Sequence, residues 1–259
     1  MENSKILDMC KNGTCFKVNA HSSLFNYFWE KKFIDWEEST FTIFDRFLNT
    51  KSSYFDVGAW IGPTVLYGAQ KAKHVYAIEP DPVAFQELTS NLQLNPSIIS
   101  KVTCINCALT PSSGTQRLYI REFMGDSSSS IVPTRSDKNF TEVRGITLEE
   151  LNFLKNITFI KMDIEAGEYS LIPSMREYLK SMRPTLYLSL HPQFLTEAMN
   201  LKIDKGSNSE SHILSFTKRL LDSLDFYKNI YDCKGNIVDR SIILKERSFS
   251  SFLFTDENW

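Results

Sequence analysis

The sequence predicts an α/β fold in which a mostly parallel sheet carries helices on both faces. From residue 53 onward, short apolar segments alternate with segments whose apolar residues recur at helical spacing, as in strand–helix–strand units. The first apolar segment ends in a glycine-containing bend, FDVGAWIG, of the kind that precedes a crossover helix. Two apolar segments near the C-terminus have hairpin-like spacing, which predicts that one late strand is antiparallel.

The predicted strands and helices follow one another in a regular order. The strands are Tyr54–Val57, HVYAIEP, KVTCINCAL, the extended TQRLYIRE, ITFIKMDIE, PTLYLSLHP, FYKNIYD and SSFLF. The helices are Pro63–Lys71, PVAFQELTSNLQLN, the short TLEELNFL, GEYSLIPSMREYLKSM and SHILSFTKRLLDSL. Thr147 is expected to cap the short helix, with Glu150 as the second half of a capping box. Two polar stretches, GDSSSSIVPTRSDKN and DKGSNSES, are predicted to be mobile loops.

The chain of 259 residues is expected to comprise an N-terminal cap at residues 1–50 and a Rossmann-like domain at residues 51–259. The cap is rich in aromatic residues, and the spacing of Phe41, Phe44 and Phe47 predicts that it is mainly helical, although FTIF is also compatible with a short strand. One interpretation is that the cap only packs onto the main domain. The other is that it forms a lid over a substrate pocket.

Composition narrows the classes of protein to consider. The formal net charge is −2, with acids and bases mixed along the chain, so no nucleic-acid partner is expected. No uncharged apolar run reaches about 18 residues, which predicts no membrane span, and the first residues have no signal-peptide pattern. Five cysteines are an odd number, which predicts free thiols and a cytoplasmic protein. Cys104 and Cys107 fall in one predicted strand, where their side chains point to opposite faces and cannot share a metal ion.

The bend FDVGAWIG indicates which ligand the sheet edge accepts. A dinucleotide-binding bend has glycine where this chain has Trp60 and Pro63, and the larger residues disfavour a pyrophosphate at this place. S-adenosylmethionine has no phosphate and carries an ammonium group, which Asp56 can attract directly or through water. Gly58 and Gly62 allow the chain to turn tightly beside such a ligand. An ordinary strand-to-helix turn is the alternative interpretation.

The next two strands supply further cofactor candidates. Glu79 ends the second strand 21 residues after Gly58, close to the spacing of about 20 residues expected for an acid that binds ribose hydroxyls. Pro80 and Asp81 are expected to lie near the adenine, and Cys107 and Ala108 end the third strand in the same neighbourhood. The predicted cofactor site comprises Asp56, Gly58, Ala59, Trp60, Gly62, Glu79, Pro80, Asp81, Cys107 and Ala108.

In their order and spacing, the segments FDVGAWIG, VYAIEPDP, TLEELNFL, ITFIKMDIEAGEYSLI and MRPTLYLSLHP resemble the FkbM-type family of class I S-adenosylmethionine-dependent methyltransferases. The resemblance covers Ser53 to Gln193, and KMDIEAGEYSLI, similar to a K-I-D-V-E-G-x-E block, is its most specific part. It implies a seven-stranded Rossmann-like sheet, S-adenosyl-L-methionine as the cofactor, and sugars, polysaccharides or secondary metabolites as acceptors. The chain departs from the family pattern at Ala166, where a glycine is expected and the turn is predicted to shift, and at Ser189, where the family often has an acid.

Asp163 and Glu165 end the ITFIKMDIE strand on one face, and His191 ends the neighbouring PTLYLSLH strand. These three residues are the predicted catalytic group. In the preferred mechanism, His191 takes the proton of the acceptor hydroxyl while a carboxylate holds its tautomer. Lys161 is expected to pair with these acids. Two alternatives stay open: the three residues hold a divalent metal ion that lowers the pKa of the hydroxyl, or His191 is satisfied by backbone groups while Glu165 and Glu168 cap the next helix.

The sequence therefore predicts an S-adenosylmethionine-dependent O-methyltransferase that acts on a hydroxyl of a glycan, a sugar or a small metabolite. The aromatic N-terminal segment and the loop GDSSSSIVPTRSDKN are expected to line the acceptor site. One rival is an interaction module that keeps the fold without activity. A second rival, a nucleic-acid methyltransferase, is disfavoured because DIEA stands where the N/D-P-P-Y/F motif of such enzymes is expected.

Overall fold

The computed structural model describes residues 5–20, 23–202 and 209–259. The strands are β1 (Ile6–Lys11), β2 (Thr14–Asn19), β3 (Ser53–Val57), β4 (His74–Ile78), β5 (Val102–Ile105), β6 (Ala108–Leu109), β7 (Gly114–Tyr119), β8 (Phe140–Ile146), β9 (Phe159–Met162), β10 (Thr185–Leu190), β11 (Asn229–Tyr231) and β12 (Ser250–Thr255). The helices are α1 (Ser23–Tyr27), α2 (Glu38–Phe47), α3 (Pro63–Lys71), α4 (Pro82–Gln93), α5 (Pro96–Ile99), α6 (Glu168–Ser174), α7 (Arg176–Met182), α8 (Pro192–Lys202), α9 (Ser209–Asp222) and α10 (Arg240–Lys245). None of the helices within these ranges is long and apolar enough to cross a membrane. The predicted loop DKGSNSES lies mostly outside the described residues.

Seven strands form the central sheet in the order β11-β12-β10-β9-β3-β4-β5. β12 runs antiparallel to both of its neighbours, and the other adjacent pairs are parallel, which confirms the predicted sheet. The chain proceeds from β3 through β4 to β5 and then fills the other side of β3 with β9 and β10. The winding direction therefore reverses at β3. In folds of this kind, ligands bind outside the carboxyl ends of the strands at such a reversal.

Apolar side chains cover both faces of the sheet. All residues of β3, β9 and β10 are buried, as expected for parallel strands between two helical layers. Because side chains alternate along a strand, Tyr54 packs into one core cluster and Phe55 into the other. The predicted helix GEYSLIPSMREYLKSM divides at Met175 into α6 and α7, after the proline within α6. The capping box of Thr147 and Glu150 is present at a short 3₁₀ turn.

The N-terminal segment shares its core with the sheet. It contains an antiparallel hairpin, β1–β2, in addition to the expected helices, so it is less helical than predicted. FTIF belongs to α2 and is not a strand. Phe44 is fully buried, with its ring centroid 5.1 Å from that of Tyr54 and 5.6 Å from that of Phe159. The aromatic residues at helical spacing therefore form the layer that covers one face of the sheet.

The hairpin contains a disulfide bond between Cys10 and Cys15, so the expectation of free thiols is wrong for this pair. The two residues are direct partners in the β1–β2 register, with Cα atoms 4.1 Å apart. The number of cysteines in the sequence contains no information about this register, which is why the pairing was missed. Cys104, Cys107 and Cys233 are free. A cytoplasmic location stays a prediction and loses the cysteine argument as support.

The strand predicted at KVTCINCAL ends earlier than expected. β5 ends at Ile105, and the Asn106 side chain donates hydrogen bonds of 2.8 and 3.2 Å to two carbonyl oxygens just after β4. β6 then joins a separate three-stranded sheet, β6-β8-β7, that the sequence pattern did not reveal. Cys107 is buried in one core cluster and Cys104 packs against the other. The two thiols lie on opposite faces, which confirms that they cannot share a metal ion.

Replacing Phe44 with alanine is expected to lower the free energy of unfolding by about 3–5 kcal/mol, because a fully buried ring leaves a cavity between α2 and the sheet. Urea denaturation followed by tryptophan fluorescence and far-UV circular dichroism measures this loss. The control Phe123→Ala removes a ring that is 43% exposed and should cost about 1 kcal/mol or less. Since the cap and the sheet share one core, both probes should report a single transition, and two separate transitions would contradict this arrangement.

Candidate active site

The bend after β3 lies closer to a neighbouring strand than a side chain permits. Gly58 has a φ of +89°, and a Cβ built there would lie 1.9 Å from the carbonyl oxygen of Asp163, just after β9. The N–H groups of Gly58 and Ala59 donate hydrogen bonds of 3.1 and 3.0 Å to the carbonyl oxygen of Ile78 in β4. Gly62, with a φ of +94°, precedes α3. The bend thus connects the carboxyl ends of three adjacent strands.

Glu79 follows β4 and holds the bend from the other side. One of its carboxylate oxygens accepts a hydrogen bond from the backbone N–H of Trp60 (2.8 Å), and the other accepts one from the N–H of Asp81 (2.8 Å). Burial raises the pKa of Glu79 to about 8, although both backbone donors oppose the shift. Each oxygen retains a second lone pair, so Glu79 can still accept a hydrogen bond from a ligand.

Trp60 and Asp81, two of the predicted cofactor residues, hold a loop over the bend. We call residues 125–131, GDSSSSI, the serine loop. The indole N–H of Trp60 donates a hydrogen bond to the carbonyl oxygen of Gly125 (2.8 Å), and the N–H of Gly125 donates one to Asp81 Oδ2 (2.7 Å). The other oxygen of Asp81 accepts from two backbone N–H groups and caps α4. Both side chains therefore hold the start of the serine loop in place.

The C-terminal end of the serine loop is hydrogen-bonded to the turn that follows β9. The hydroxyl of Ser130 donates a hydrogen bond to the carbonyl oxygen of Glu165 (2.6 Å). Within the loop, Asp126 accepts hydrogen bonds from the backbone N–H groups of Glu122, Phe123 and Ser128. This stretch was predicted as a mobile loop, and its many side-chain contacts give it a defined conformation over the carboxyl ends of the strands.

A first cavity of about 570 Å³ lies between the bend, Glu79 and the serine loop. One end has an apolar wall that includes Leu109, Leu118 and Ile131, and the other end is closed by acidic side chains after β9. A flat apolar group fits the first end and a cationic group fits the second.

Half of the predicted cofactor residues line this cavity, namely Gly58, Trp60, Glu79, Pro80 and Ala108. Cys107 is buried in the core, and Gly62 and Asp81 support the bend and the loop. Asp56 is also fully buried, where the Thr64 hydroxyl donates a 2.6 Å hydrogen bond to its Oδ2 and Lys161 Nζ lies 3.9 Å from its Oδ1. Burial raises the pKa of Asp56, and Lys161 opposes the shift. Asp56 lines neither this cavity nor the one beside it, so the structure does not support a direct contact of Asp56 with a ligand in either cavity.

A second cavity, of about 800 Å³, adjoins the first. The residues common to both are Gly58, Trp60, Ser127, Asp163 and Glu165. The lining of the second cavity includes three further aromatic residues, Trp36 from the cap, Phe194 and Phe249, and Ala59 also borders it. The cap and the serine loop thus contribute to this cavity, in the places where an acceptor site was expected.

Asp163, Glu165 and His191, which we call the acid–histidine cluster, lie where the two cavities meet. His191 Nε2 is 3.0 Å from Glu165 Oε2 and 3.5 Å from Asp163 Oδ1. On its other side, His191 Nδ1 is 3.2 Å from Glu168 Oε1, which also accepts a 2.9 Å hydrogen bond from the backbone N–H of His191. Glu168 lies in the first turn of α6, as expected for an acid at a helix N-terminus, and it also orients His191.

The turn that presents Glu165 has Ala166 where the family pattern has a glycine, and the predicted shift of the turn stays a prediction. Glu165 and Ala166 both have positive φ angles, +53° and +75°, and Gly167 has an ordinary φ of −64°. Ala166 thus adopts the left-handed conformation that a glycine adopts more easily. Two successive residues in this conformation direct the Glu165 carboxylate toward His191.

The pKa values of the cluster reflect burial among several charges. Burial disfavours a charged imidazole, but Glu168, Asp163 and Glu165 outweigh it and raise the pKa of His191 to about 9. Burial also raises the pKa of Glu165 to about 8, and nearby His191 opposes the rise. Burial would raise the pKa of Asp163 too, yet Lys161 and His191 hold it below its ordinary value. Glu165 and His191 therefore form an interacting acid–base pair in which both pKa values are raised, and such a pair suits proton transfer.

Glu37 is a site residue that the sequence did not reveal. It has a φ of +44°, precedes α2 and lines the second cavity, and its Oε2 accepts a 2.9 Å hydrogen bond from the Thr40 hydroxyl. Burial, together with the charge of Asp163, raises the pKa of Glu37 to about 7. The only signal in the sequence was that Glu37 is an acid next to Trp36 in the aromatic cap. An acid in that context resembles an ordinary surface residue.

Fold and site together define a Rossmann-like protein in which a cavity at the β3 bend adjoins a second cavity with aromatic lining residues. Residues 56–224 match the model of a protein family described as the methyltransferase FkbM domain. Because this match covers well over half of the chain, the protein belongs to the FkbM methyltransferase family, as the motifs suggested.

Individual relatives are more distant. The chain is 32% identical over 132 residues to methyltransferase sdnD of Sordaria araneosa, in an alignment that covers 50% of this chain and 49% of that protein. The chain thus spans about half the length of the curated relative it matches. Among solved structures, methyltransferase FkbM from Methylobacillus flagellatus KT is 20% identical with a TM-score of 0.46, over 79% of this chain and 43% of that one. M. jannaschii TYW2 in complex with AdoMet is 14% identical with a TM-score of 0.45, over 98% and 85% of the two chains.

Gly58→Ala is expected to destabilise the protein much more than Gly13→Ala. Both glycines have positive φ, which costs an alanine about 1–2 kcal/mol, but only at Gly58 would the new Cβ overlap a backbone carbonyl oxygen. At Gly13 no atom lies within 4 Å of the built Cβ, so this variant isolates the cost of the backbone conformation. Thermal unfolding of the two variants measures the difference. Equal losses would show that the bend does not depend on its contact with Asp163.

Proposed function

We propose that this protein is an S-adenosyl-L-methionine-dependent O-methyltransferase that acts on a hydroxyl of a sugar, a glycan or a small secondary metabolite. The observation that supports this most strongly is the meeting of the two cavities at the acid–histidine cluster. A methyl donor in the first cavity and an acceptor in the second would face each other across Asp163 and Glu165. Holding two reactants in this way is the main contribution that a protein makes to such a transfer.

The residues of the first cavity fit S-adenosylmethionine. The free lone pairs of Glu79 can accept hydrogen bonds from both ribose hydroxyls, and the apolar wall of Leu109, Leu118 and Ile131 suits the adenine. At the opposite end, the Asp163 carboxylate supplies negative charge for the ammonium and sulfonium groups. When bound, the cofactor supplies a methyl group on a cationic sulfur, and the C–S electron pair stays on the sulfur as the new C–O bond forms.

The cluster would handle the proton of the acceptor. Glu165 is the preferred proton acceptor, and His191, fixed by Glu168, holds the Glu165 carboxylate in position. The aromatic walls of the second cavity, Trp36 and Phe249 among them, reduce water access and offer flat faces to a sugar ring or another apolar acceptor. Family membership supports a methyltransferase activity, and the aromatic lining supports an uncharged hydroxylated acceptor. No nucleic-acid partner is proposed.

The affinity of the protein for S-adenosylhomocysteine should rise with pH up to about pH 8 and then level off. In the free protein, burial keeps Glu79 protonated below its pKa of about 8, while ribose hydroxyls donate to the ionised form. Binding therefore releases a proton, and affinity should fall by up to about tenfold for each pH unit below the pKa.

Isothermal titration calorimetry in two buffers of different ionisation enthalpy measures both the affinity and the released proton. Glu79→Gln removes the titrating group, so its affinity should be lower and should change little with pH. A wild-type affinity that is constant from about pH 6 to about pH 9 would argue against a ribose contact at Glu79.

Radiolabelled methyl transfer from S-adenosylmethionine, screened against glycan fractions and hydroxylated metabolites, tests the proposed reaction. For an acceptor that is labelled, Glu165→Gln is expected to lower kcat by about 100-fold or more, because the proton acceptor is lost. Its affinity for S-adenosylhomocysteine should stay within about threefold of wild type. Glu142→Gln, at an exposed position in β8, is the matched control. A protein that binds no S-adenosylhomocysteine at all would instead be the inactive interaction module.

A further inference from the structure

We infer that the acid–histidine cluster is a binding site for one divalent metal ion of the first transition row, such as Mn²⁺. One carboxylate oxygen from Asp163, one from Glu165 and a ring nitrogen of His191 all lie within 4.8 Å of one another. A single ion can contact three atoms at this spacing after small side-chain movements. Two oxygen ligands and one imidazole nitrogen form a mixed set that suits Mn²⁺, Fe²⁺ or Zn²⁺ better than Ca²⁺.

The setting of His191 is that of a metal ligand. Its side chain is only 5% exposed, its Nδ1 is held by Glu168, and the ring lies between Phe194 and Phe249 at centroid distances of 5.5 and 5.0 Å. Its Nε2 faces the two carboxylates, 3.0 Å from Glu165 Oε2 and 3.5 Å from Asp163 Oδ1. A carboxylate that fixes one ring nitrogen while the other faces the ion is the usual outer arrangement of a metal-bound histidine.

Asp163 supplies a second, independent observation. Its Oδ2 lies 3.4 Å from Lys161 Nζ, and its Oδ1 is buried without a hydrogen-bond donor among the described residues. Burying an acceptor without a partner is unfavourable, so such atoms usually contact an ion or a water. The unsatisfied Oδ1 is the atom on the His191 side, 3.5 Å from Nε2. A cation between these groups would satisfy both of them.

The cluster also leaves room for other ligands of the ion. Asp163, Glu165 and His191 all line the second cavity, so the remaining coordination positions would face the acceptor. An acceptor oxygen bound there would have a lower pKa and lose its proton more easily. This catalytic consequence deepens the proposed function and rests on it. The binding of the ion itself follows from the geometry of the three side chains.

Mn²⁺ titration of the full chain, after treatment with a chelator, tests the site. Electron paramagnetic resonance of free Mn²⁺ should show one ion bound per chain, and His191→Gln and Glu165→Gln should each weaken binding at least about tenfold. The control Glu142→Gln should bind as wild type. Circular dichroism checks that the variants fold, and two separate variants are used because each change removes a different buried contact. Absence of stoichiometric binding, or binding that neither variant weakens, would overturn the inference.

A spectroscopic measurement distinguishes metal coordination by His191 from a purely structural role of this residue. Co²⁺ in the wild-type site should give visible absorption bands, and His191→Gln should change or abolish them while Glu142→Gln leaves them unchanged. Spectra that are the same in all three proteins would exclude His191 as a ligand. The titrations are made without cofactor, and S-adenosylhomocysteine binding is measured separately. Cofactor binding without Mn²⁺ binding would overturn only the metal site, and the reverse result would overturn only the proposed function.

Discussion

The close approach of the Gly58 backbone to the carbonyl group of Asp163 is the contact on which the geometry of the site depends. With a built Cβ only 1.9 Å from that oxygen, no other residue fits at position 58 without moving the end of β9. The same peptide segment donates hydrogen bonds to Ile78 at the end of β4. One bend therefore sets the spacing between Glu79, which follows β4, and the acids that follow β9. The length of the first cavity is a consequence of this spacing.

The second constraint is an excess of buried acidic groups around the two cavities. They comprise Glu37, Asp56, Glu79, Asp163, Glu165 and Glu168. Within the described part of the chain, Lys161 and His191 are the cations that contact four of these acids, namely Asp56, Asp163, Glu165 and Glu168. Burying unpaired carboxylates is costly, which is why several of these groups have raised pKa values. Such surroundings favour ligands that bring positive charge or hydrogen-bond donors, and they disfavour phosphates. A sulfonium cofactor, a neutral polyol and a divalent cation all meet this condition.

Local patterns predicted the parts of the structure that local interactions determine. Alternating strand and helix patterns predicted a mostly parallel sheet, and the family resemblance implied its seven strands. The polar residues at strand ends predicted that Glu79 and the acid–histidine cluster lie at one edge, because parallel strands bring their carboxyl ends together. The sequence did not reveal that the serine loop lines the first cavity or that Glu37 lines the second. The serine loop is held by Trp60 and Asp81, and Glu37 is held by Thr40. These contacts join residues that lie far apart in the chain or depend on an unusual φ, and neither leaves a periodic pattern in the sequence. The Cys10–Cys15 bond was missed for the same reason, because it depends on a hairpin register.

The turn at Glu165 and Ala166 connects the fold to the proposed chemistry. Each left-handed non-glycine residue costs about 1–2 kcal/mol, so a glycine at position 166 would make the same turn at lower cost. The turn persists because its neighbours hold it: the Ser130 hydroxyl binds the Glu165 carbonyl oxygen, and His191 contacts the Glu165 carboxylate. Backbone strain of this kind is retained where it positions a functional group. Relaxing the turn would move the Glu165 carboxylate away from His191 and from the junction of the two cavities, so the strain and the site have a common origin.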